Sequence, residues 1–359
     1  MRDNLHASTS GLGFALLFSA VGSLVAMPMS GRLVERFGAR SVLLTCIGAL
    51  VFAYPALALA PSLPLVAAVL LVVGAGVGVW DVAMNVSGNE VVTAAGRDLM
   101  PGFHAAWSIG SVIGAAIGAL AAKGGVSPVV QFTVVTLIIS GLAVAAVRVM
   151  PDVSGAGASE HDNEAAPGTP VGPLVRNRRI LGIGLMCFFA AWAEGAANDW
   201  LALMLHDDRD ASGASAAAGF AVFAAAMTTA RFFGTPIVER FGRLRTLRVG
   251  ALVTSAGVVL LLTVPVLGVS YVGALLWGLG IAVAFPLAMT AAGETPGRGP
   301  SAIATVATIA YAGFLVGPPL IGTIAGAVGL DHALWLVLAL AAGILLLAGN
   351  ARPVRPMSR

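Results

Sequence analysis

Eleven stretches of this chain each supply the roughly 20 mostly apolar residues that a helix needs to cross a bilayer core. They run over 11–30, 41–60, 65–88, 101–122, 129–149, 180–204, 216–236, 247–267, 271–291, 301–328 and 332–349. In lipid every backbone N–H and C=O must find its partner inside the protein, so such stretches fold as helices and the chain is an all-α membrane protein. Composition excludes the alternatives. Hydrophobic residues make up 58% and charged residues 10%, against about 25% charged in a soluble domain. A disordered, collagen-like or disulfide-framed chain is excluded with it. Cys46 and Cys187 both lie in apolar runs and read as small packing residues, not as a redox pair. Met1 to Ser10 is polar and lacks an apolar core of its own, so no cleavable signal peptide is expected.

The basic residues orient the spans. If the loop after the first run is cytoplasmic, 17 of the 20 Lys and Arg fall on or near that side, and only Arg2, Lys123 and Arg209 fall outside. That is the bias of the positive-inside rule, and it places the C-terminus in the cytoplasm. The arginines are spread over many short loops, which removes the need for a nucleic-acid partner to explain the net charge of +3. Residues 151–179 are rich in Gly, Pro, Ala and acids and read as a flexible cytoplasmic linker; His161 within it reads as solvated, not as a metal ligand. The expected organisation is a first bundle over 1–150, the linker, a second bundle over 180–349 and a cytoplasmic tail over 350–359.

The two bundles are copies. Val34-Glu35-Arg36-Phe37-Gly38 recurs as Val238-Glu239-Arg240-Phe241-Gly242, a separation of 204 residues (238 − 34). The same offset carries Gly74 and Gly76 onto Gly278 and Gly280, carries Gly118 onto Gly322, and brings Gly114 within one residue of Gly317. Parallel repeats of this kind build transporters. The second copy opens with the run at 180–204, which has no counterpart in the first. The arithmetic therefore expects 11 spans of a 12-span plan (5+6), through a truncated gene model or a natural variant.

The segment from Gly31 to Arg40, with Glu35, Arg36 and Gly38 at fixed spacing, resembles the loop signature of the major facilitator superfamily, and its second copy carries Glu239, Arg240 and Gly242. Asp81-Val82-Ala83-Met84-Asn85, Glu194 to Trp200, and Gly317-Pro318-Pro319-Leu320-Ile321-Gly322 resemble the fucose-permease-like branch. The resemblance implies two helical bundles that rock about a central site. It also implies that the loop signature is a gating latch and not a substrate site. In that signature Gly38 permits a tight turn, and Glu35 can face a helix N-terminus.

Asp81 stands out on physical grounds. A carboxylate in mid-membrane costs roughly 2.5–3.5 kcal/mol on insertion scales. Gly74, Gly78, Asp81 and Asn85 share one face, within about 60° at ~100° per residue. The repeat counterpart of Asp81 is Phe285, so helix packing does not demand an acid there. Asp81 is the candidate proton carrier, with a structural polar pair to Asn85 as the alternative. Candidate substrate contacts are Asn85, His104, Glu194, Asp199 and Arg231. Asn198 lies one turn from Glu194 on the same face, while Asp199 and Trp200 approach an interface. Arg231, buried in its run, points to a cavity, pairs with an acid or snorkels. His104, Ser108 and Ser111 form a polar stripe, and Gly110, Gly114 and Gly118 a close-packing one. Gly313, Gly317 and Gly322 flank Pro318-Pro319, as suits a bending helix.

The first reading is a proton-coupled secondary transporter of a sugar-like or other small polar solute, monomeric, working by alternating access in the inner membrane. Drug or metabolite export on the same fold is a second reading; the absence of Pro between Gly110 and Gly118 speaks against it. A non-transporting remnant is a third. The sequence holds no HExxH zinc pair, Gly-x-Ser-x-Gly elbow or P-loop, so no enzyme activity, metal or cofactor is expected.

Overall fold

Each of the eleven apolar runs is helical in the computed structural model, which describes residues 9–150 and 174–354. The first five are α1 (Thr9–Phe37), α2 (Ala39–Leu59), α3 (Leu63–Ala95), α4 (Met100–Lys123) and α5 (Pro128–Val149). After the gap come α6 (Arg178–Asp208), α7 (Gly213–Phe232), α8 (Gly234–Phe241), α9 (Arg243–Thr263), α10 (Leu267–Ile281) and α11 (Ala284–Gly293). The chain ends in α12 (Gly299–Val328), α13 (Leu330–Ala333), α14 (Leu336–Leu347) and a 3-10 turn at Ala348–Ala351. Among the described residues, ten segments are long and apolar enough to cross a membrane. Most of the expected linker, 151–173, and the end of the tail, 355–359, lie outside the described residues.

Helix starts follow from the local sequence. Ser127 accepts from the Val130 N–H ahead of Pro128, Asn177 accepts from Arg179 and Ile180, and Ser212 accepts from Ser215. Each side chain satisfies orphan donors of a first turn. Three expected runs are broken, the last of them at Leu334 and Trp335, between α13 and α14. The break between α7 and α8 precedes Pro236, and the break between α10 and α11 precedes Pro286. Both prolines then fall in a first turn, where the missing N–H has no partner to lose. Pro28 and Pro55, by contrast, ride inside α1 and α2. At the C-terminus of α9, Arg209 Nη2 donates to Leu261 O at 2.8 Å and to Leu262 O at 3.3 Å, satisfying carbonyls that the helix leaves open.

The repeat is written into the backbone. Gly38 has φ 75°, ψ 148° and Gly242 has φ 77°, ψ 152°. Their N–H groups donate to Val34 O and Val238 O, both at 2.8 Å. This region of backbone space is open essentially to glycine alone. Gly38→Ala and Gly242→Ala should each lower stability by about 1–3 kcal/mol, read as a fall in the unfolding midpoint of the detergent-solubilised protein.

Two compact units divide the described chain. One gathers 9–94, 109–150 and 296–305; the other gathers 95–108, 174–295 and 306–354. The division runs through α4 and α12. In the first unit α3 lies directly on α1: a Cβ on Gly74 would overlap the Ser19 carbonyl, and Ser23 Oγ donates to Gly74 O at 2.7 Å. In the second, α9 and α10 meet backbone to backbone at Gly250 with Gly280 and at Gly257 with Gly273. Small residues permit this approach, which drives helix association in lipid. Leu174 and Asn177, expected in the linker, belong to the fold: Leu174 is buried and Asn177 caps α6. Ala351 and Arg352, expected in a free tail, accept hydrogen bonds from Arg243 and Arg179 through their carbonyls.

Candidate functional site

Asp81 lies midway along α3, in the first unit. Its Oδ2 is shut off from the surface and has no hydrogen-bond partner among the described residues. The Asn85 amide donates to the Asp81 backbone carbonyl at 2.8 Å and not to the carboxylate, so this bond is not the side-chain polar pair of the alternative reading. Asn85 itself is buried.

A second buried cluster, in the second unit, joins three helices. Arg231 at the end of α7 is 2% exposed and Glu194 in α6 is 8% exposed. Arg231 Nη2 donates to Glu194 Oε2 at 2.9 Å, Nη1 to Ser108 Oγ of α4 at 3.0 Å, and Nε to Ala282 O at 3.0 Å. The last carbonyl lies at the break between α10 and α11, so the break supplies an acceptor. Of the expected roles for Arg231, the structure places it against an acid. His104, one turn before Ser108, has Nδ1 3.1 Å from Met100 O, and its ring lies 5.5 Å from that of Phe285. A carbonyl only accepts, so Nδ1 carries the hydrogen and Nε2 is left as an acceptor. Phe285 is the repeat counterpart of Asp81, so the position that is acidic in one half supports His104 in the other. Asp199 is not brought to this cluster. It lies five residues beyond Glu194, about 140° around the helix, and is exposed.

In each copy of the loop signature the acid is held by a hydrogen-bond donor. In the first unit, Glu35 Oε1 accepts from the Ser301 N–H at 3.2 Å and from the Ser301 hydroxyl. Ser301 lies in the first turn of α12, where a helix favours an anion. Gly31 is needed beside it: a Cβ there would stand 2.8 Å from Ser301 Cα. In the second unit, Glu239 Oε1 accepts from Arg97 Nε at 2.6 Å. The pairs are repeat equivalents, since Glu35 + 204 is Glu239 and Arg97 + 204 is Ser301. Each half's acid therefore reaches a partner from the other half. Arg36 and Arg240 lie over the rings of Phe37 and Phe241, at 5.2 and 5.6 Å. Arg40 is exposed and donates to Arg148 O at 3.4 Å.

Sequence reasoning missed the group that follows Arg97 in the chain. Asp98, 1% exposed, sits in the short loop between α3 and α4. Thr290 donates to its Oδ1 at 3.0 Å, Arg243 Nη2 lies 3.5 Å from its Oδ2, and Thr235 donates to its backbone carbonyl at 2.8 Å. Arg243 in turn grips Glu294 through two N–H···O contacts, at 2.8 and 3.1 Å. Arg179 approaches Glu294 within 3.8 Å. Burial pushes the Asp98 carboxyl above the usual carboxylate range, while Arg243 and the Thr290 hydroxyl pull it back down. The arginines were legible only as loop charges. The available signal was the repeat offset, which pairs Arg97 with Ser301. Among the described residues no group of three or more His, Cys, Asp or Glu could hold a metal ion.

The Major Facilitator Superfamily family model matches residues 1–301. An uncharacterized MFS-type transporter of Yersinia pestis is 36% identical over 358 residues, covering 98% of this chain and 89% of its own length. The fold is similar to that of FucP in its outward conformation, with TM-score 0.81 and 15% identity over 97% of this chain and 91% of that one. A second FucP structure, a variant described as the E. coli fucose:proton symporter, has TM-score 0.76 and 16% identity over 96% and 95% of the two chains. The proton:xylose symporter XylE follows at TM-score 0.69 and 15% identity over 94% and 85%.

Proposed function

The chain belongs to the major facilitator superfamily, and from that premise we propose that it is a proton-coupled symporter of a sugar-like or other small polar solute. It is a multi-pass membrane transporter of that superfamily. One observation carries the coupling: among the described residues, the Asp81 Oδ2 atom, inside a membrane-spanning helix, has neither surface access nor a hydrogen-bond donor. Such a group is costly as an anion and inexpensive once protonated, which suits a side chain that takes a proton on one side of the membrane and gives it up on the other. Two neighbours in fold are described as sugar:proton symporters, for fucose and for xylose.

In this reading His104, Glu194 and Arg231, all in the second unit, contact solute. The Arg231 guanidinium already spends its donors on Glu194, Ser108 and Ala282. A hydroxyl-rich solute reaches it by taking the place of the Ser108 hydroxyl, one alcohol exchanged for another. The two latches, with Glu35, Arg36, Gly38 and Arg40 in one copy and Glu239, Arg240 and Gly242 in the other, hold one state of the transport cycle. The arginine-rich helix ends and the C-terminus face the cytoplasm, in the cell inner membrane. The transporter works as a monomer.

The test is uptake by proteoliposomes of purified protein with the bath more acidic than the lumen, offered labelled fucose, xylose and a wider panel of polyols. The proposal expects accumulation of at least one solute above the bath level, collapsed by a protonophore. Dye movement without sugar movement would point to the exporter reading. Inert vesicles carrying folded protein would overturn both.

A further inference from the structure

We propose, on the reading of His104, Glu194 and Arg231 as solute contacts, that Arg231 is also the positioning residue of a hinge between α10 and α11 and ties that hinge to solute occupancy. In an unbroken helix the residue at 286 donates its N–H to the carbonyl four residues back, that of Ala282. Pro286 has no N–H to give. The helix resumes one residue later, where Leu287 N donates to Val283 O at 3.1 Å. Ala282 is wholly buried, and among the described residues no backbone N–H donates to its oxygen. The donor is Arg231 Nε, at 3.0 Å. A side chain from α7 thus stands in for the backbone donor that the proline removed.

The first unit holds the control. At the repeat offset of 204 residues, Ala282, Pro286 and Arg231 correspond to Gly78, Val82 and Met27. There α3 runs unbroken from Leu63 to Ala95. The proline, the break and the arginine occur together in one copy and are all missing from the other. Packing decides which side of the break can move. α10 is clamped on its neighbours: a Cβ on Gly280 would stand 2.4 Å from Gly250 O, and one on Gly278 2.4 Å from Phe223 O. Helices in such close contact have no room to shift, so the motion falls on α11. The first turn of α11 also carries Phe285, whose ring lies 5.5 Å from that of His104. Two of the three solute contacts therefore bear on this one turn.

The guanidinium is a rigid plane, so its bonds to Ala282, Ser108 and Glu194 shift together. A solute hydroxyl that takes the place of Ser108 Oγ draws Nη1 toward itself and swings Nε with it. An N–H···O contact is lost by about 3.6 Å, so from 3.0 Å a movement of roughly 0.6 Å releases the Ala282 carbonyl. Glu194 cannot replace the lost donor, because a carboxylate only accepts. A buried carbonyl without a donor is unfavourable, and the break opens until the oxygen meets water or solute. When solute leaves, Nε returns to Ala282 and α11 is locked again.

The test uses the full chain and begins without solute. Arg231→Met with Glu194→Gln leaves no charge unpaired at the site but takes the donor from Ala282 O; adding Pro286→Ala offers that oxygen an N–H again. In this neutral background Pro286→Ala should raise the unfolding midpoint in detergent by several degrees. In the native background, where Arg231 already serves the carbonyl, it should raise it far less. Hydrogen–deuterium exchange over 282–290 should be about tenfold faster in the neutral background than in the native chain, and Pro286→Ala should reverse it, with 267–281 unchanged. Equal midpoint shifts in both backgrounds, or unchanged exchange over 282–290, would overturn the hinge. Transport gives the second reading, with fucose, xylose or the polyol that native vesicles accumulate. Pro286→Ala alone should lower kcat about tenfold with KM held within about twofold, because the helix now closes without Arg231. Undiminished kcat would confine Arg231 to holding the fold and overturn its tie to solute. If native vesicles accumulate none of these solutes, the transport reading fails by itself, while the midpoints and exchange rates still decide whether Arg231 holds the hinge.

Discussion

Proteoliposomes carrying Asp81→Asn should still exchange solute across the membrane but should not accumulate it when the bath is acidified. Asp81 Oδ2 in α3 is a buried carboxylate oxygen that no donor among the described residues serves. If each solute travels with one proton, every unit of pH gradient sustains about a tenfold accumulation ratio, since 1.4 kcal/mol is a factor of ten. The amide in Asp81→Asn has the shape of the protonated acid but cannot release a proton. The accumulation ratio should then fall to about one at any imposed gradient, while counterflow between preloaded and external solute continues. Exchange lost together with accumulation would make Asp81 a structural or solute-binding group. Accumulation kept intact would remove it from coupling altogether.

The second large effect is expected at the ion pair of the second unit. Arg231 and Glu194 are both nearly inaccessible, and their charged groups meet at 2.9 Å. Removing one partner of a buried pair typically costs about 3–5 kcal/mol, because the charge left behind has no compensation. Arg231→Met alone strands the Glu194 carboxylate, and Glu194→Gln alone strands the guanidinium. Either should lower the unfolding midpoint in detergent sharply. The double variant leaves no unpaired charge at this site, so it should recover most of the lost stability. If the pair also serves solute, the double variant folds yet fails to transport. A double variant as unstable as the singles would show that the hydrogen bonds to Ser108 and Ala282 matter more than the charges.

Much of this architecture could be read before any coordinates. Span positions follow from the cost of putting a backbone into lipid, and the repeat follows from a pentapeptide copied 204 residues on. Gly38 and Gly242 are glycine for a reason that local sequence carries, a turn open to no other residue. The failures share a cause. Helical periodicity tells which side of a helix a residue occupies, but not which helix lies opposite. Arg231 was therefore legible as a buried cation in want of an acid, while its partner 37 residues earlier was not. Asp98 was invisible because it is one acid in a short loop, and its partners Arg243 and Thr290 lie 145 and 192 residues away. The helix breaks before Pro236 and Pro286 were also hidden, because Pro28 and Pro55 are accommodated inside unbroken helices. The α4 glycines were legible as a packing stripe, but only the structure reveals that a Cβ on Gly110 or Gly114 would meet no described atom within 4 Å.

Coupling between solute and proton at Asp81 is tested most directly by proton flux. Vesicles loaded with a pH-sensitive dye, holding either the native protein or Asp81→Asn, receive a pulse of a solute that the native protein takes up, with no gradient imposed beforehand. The account predicts that the lumen acidifies in step with uptake by the native protein, and that the Asp81→Asn vesicles exchange solute without any change in dye signal. Solute entry through the native protein at constant luminal pH, or undiminished acidification in the variant, would contradict it.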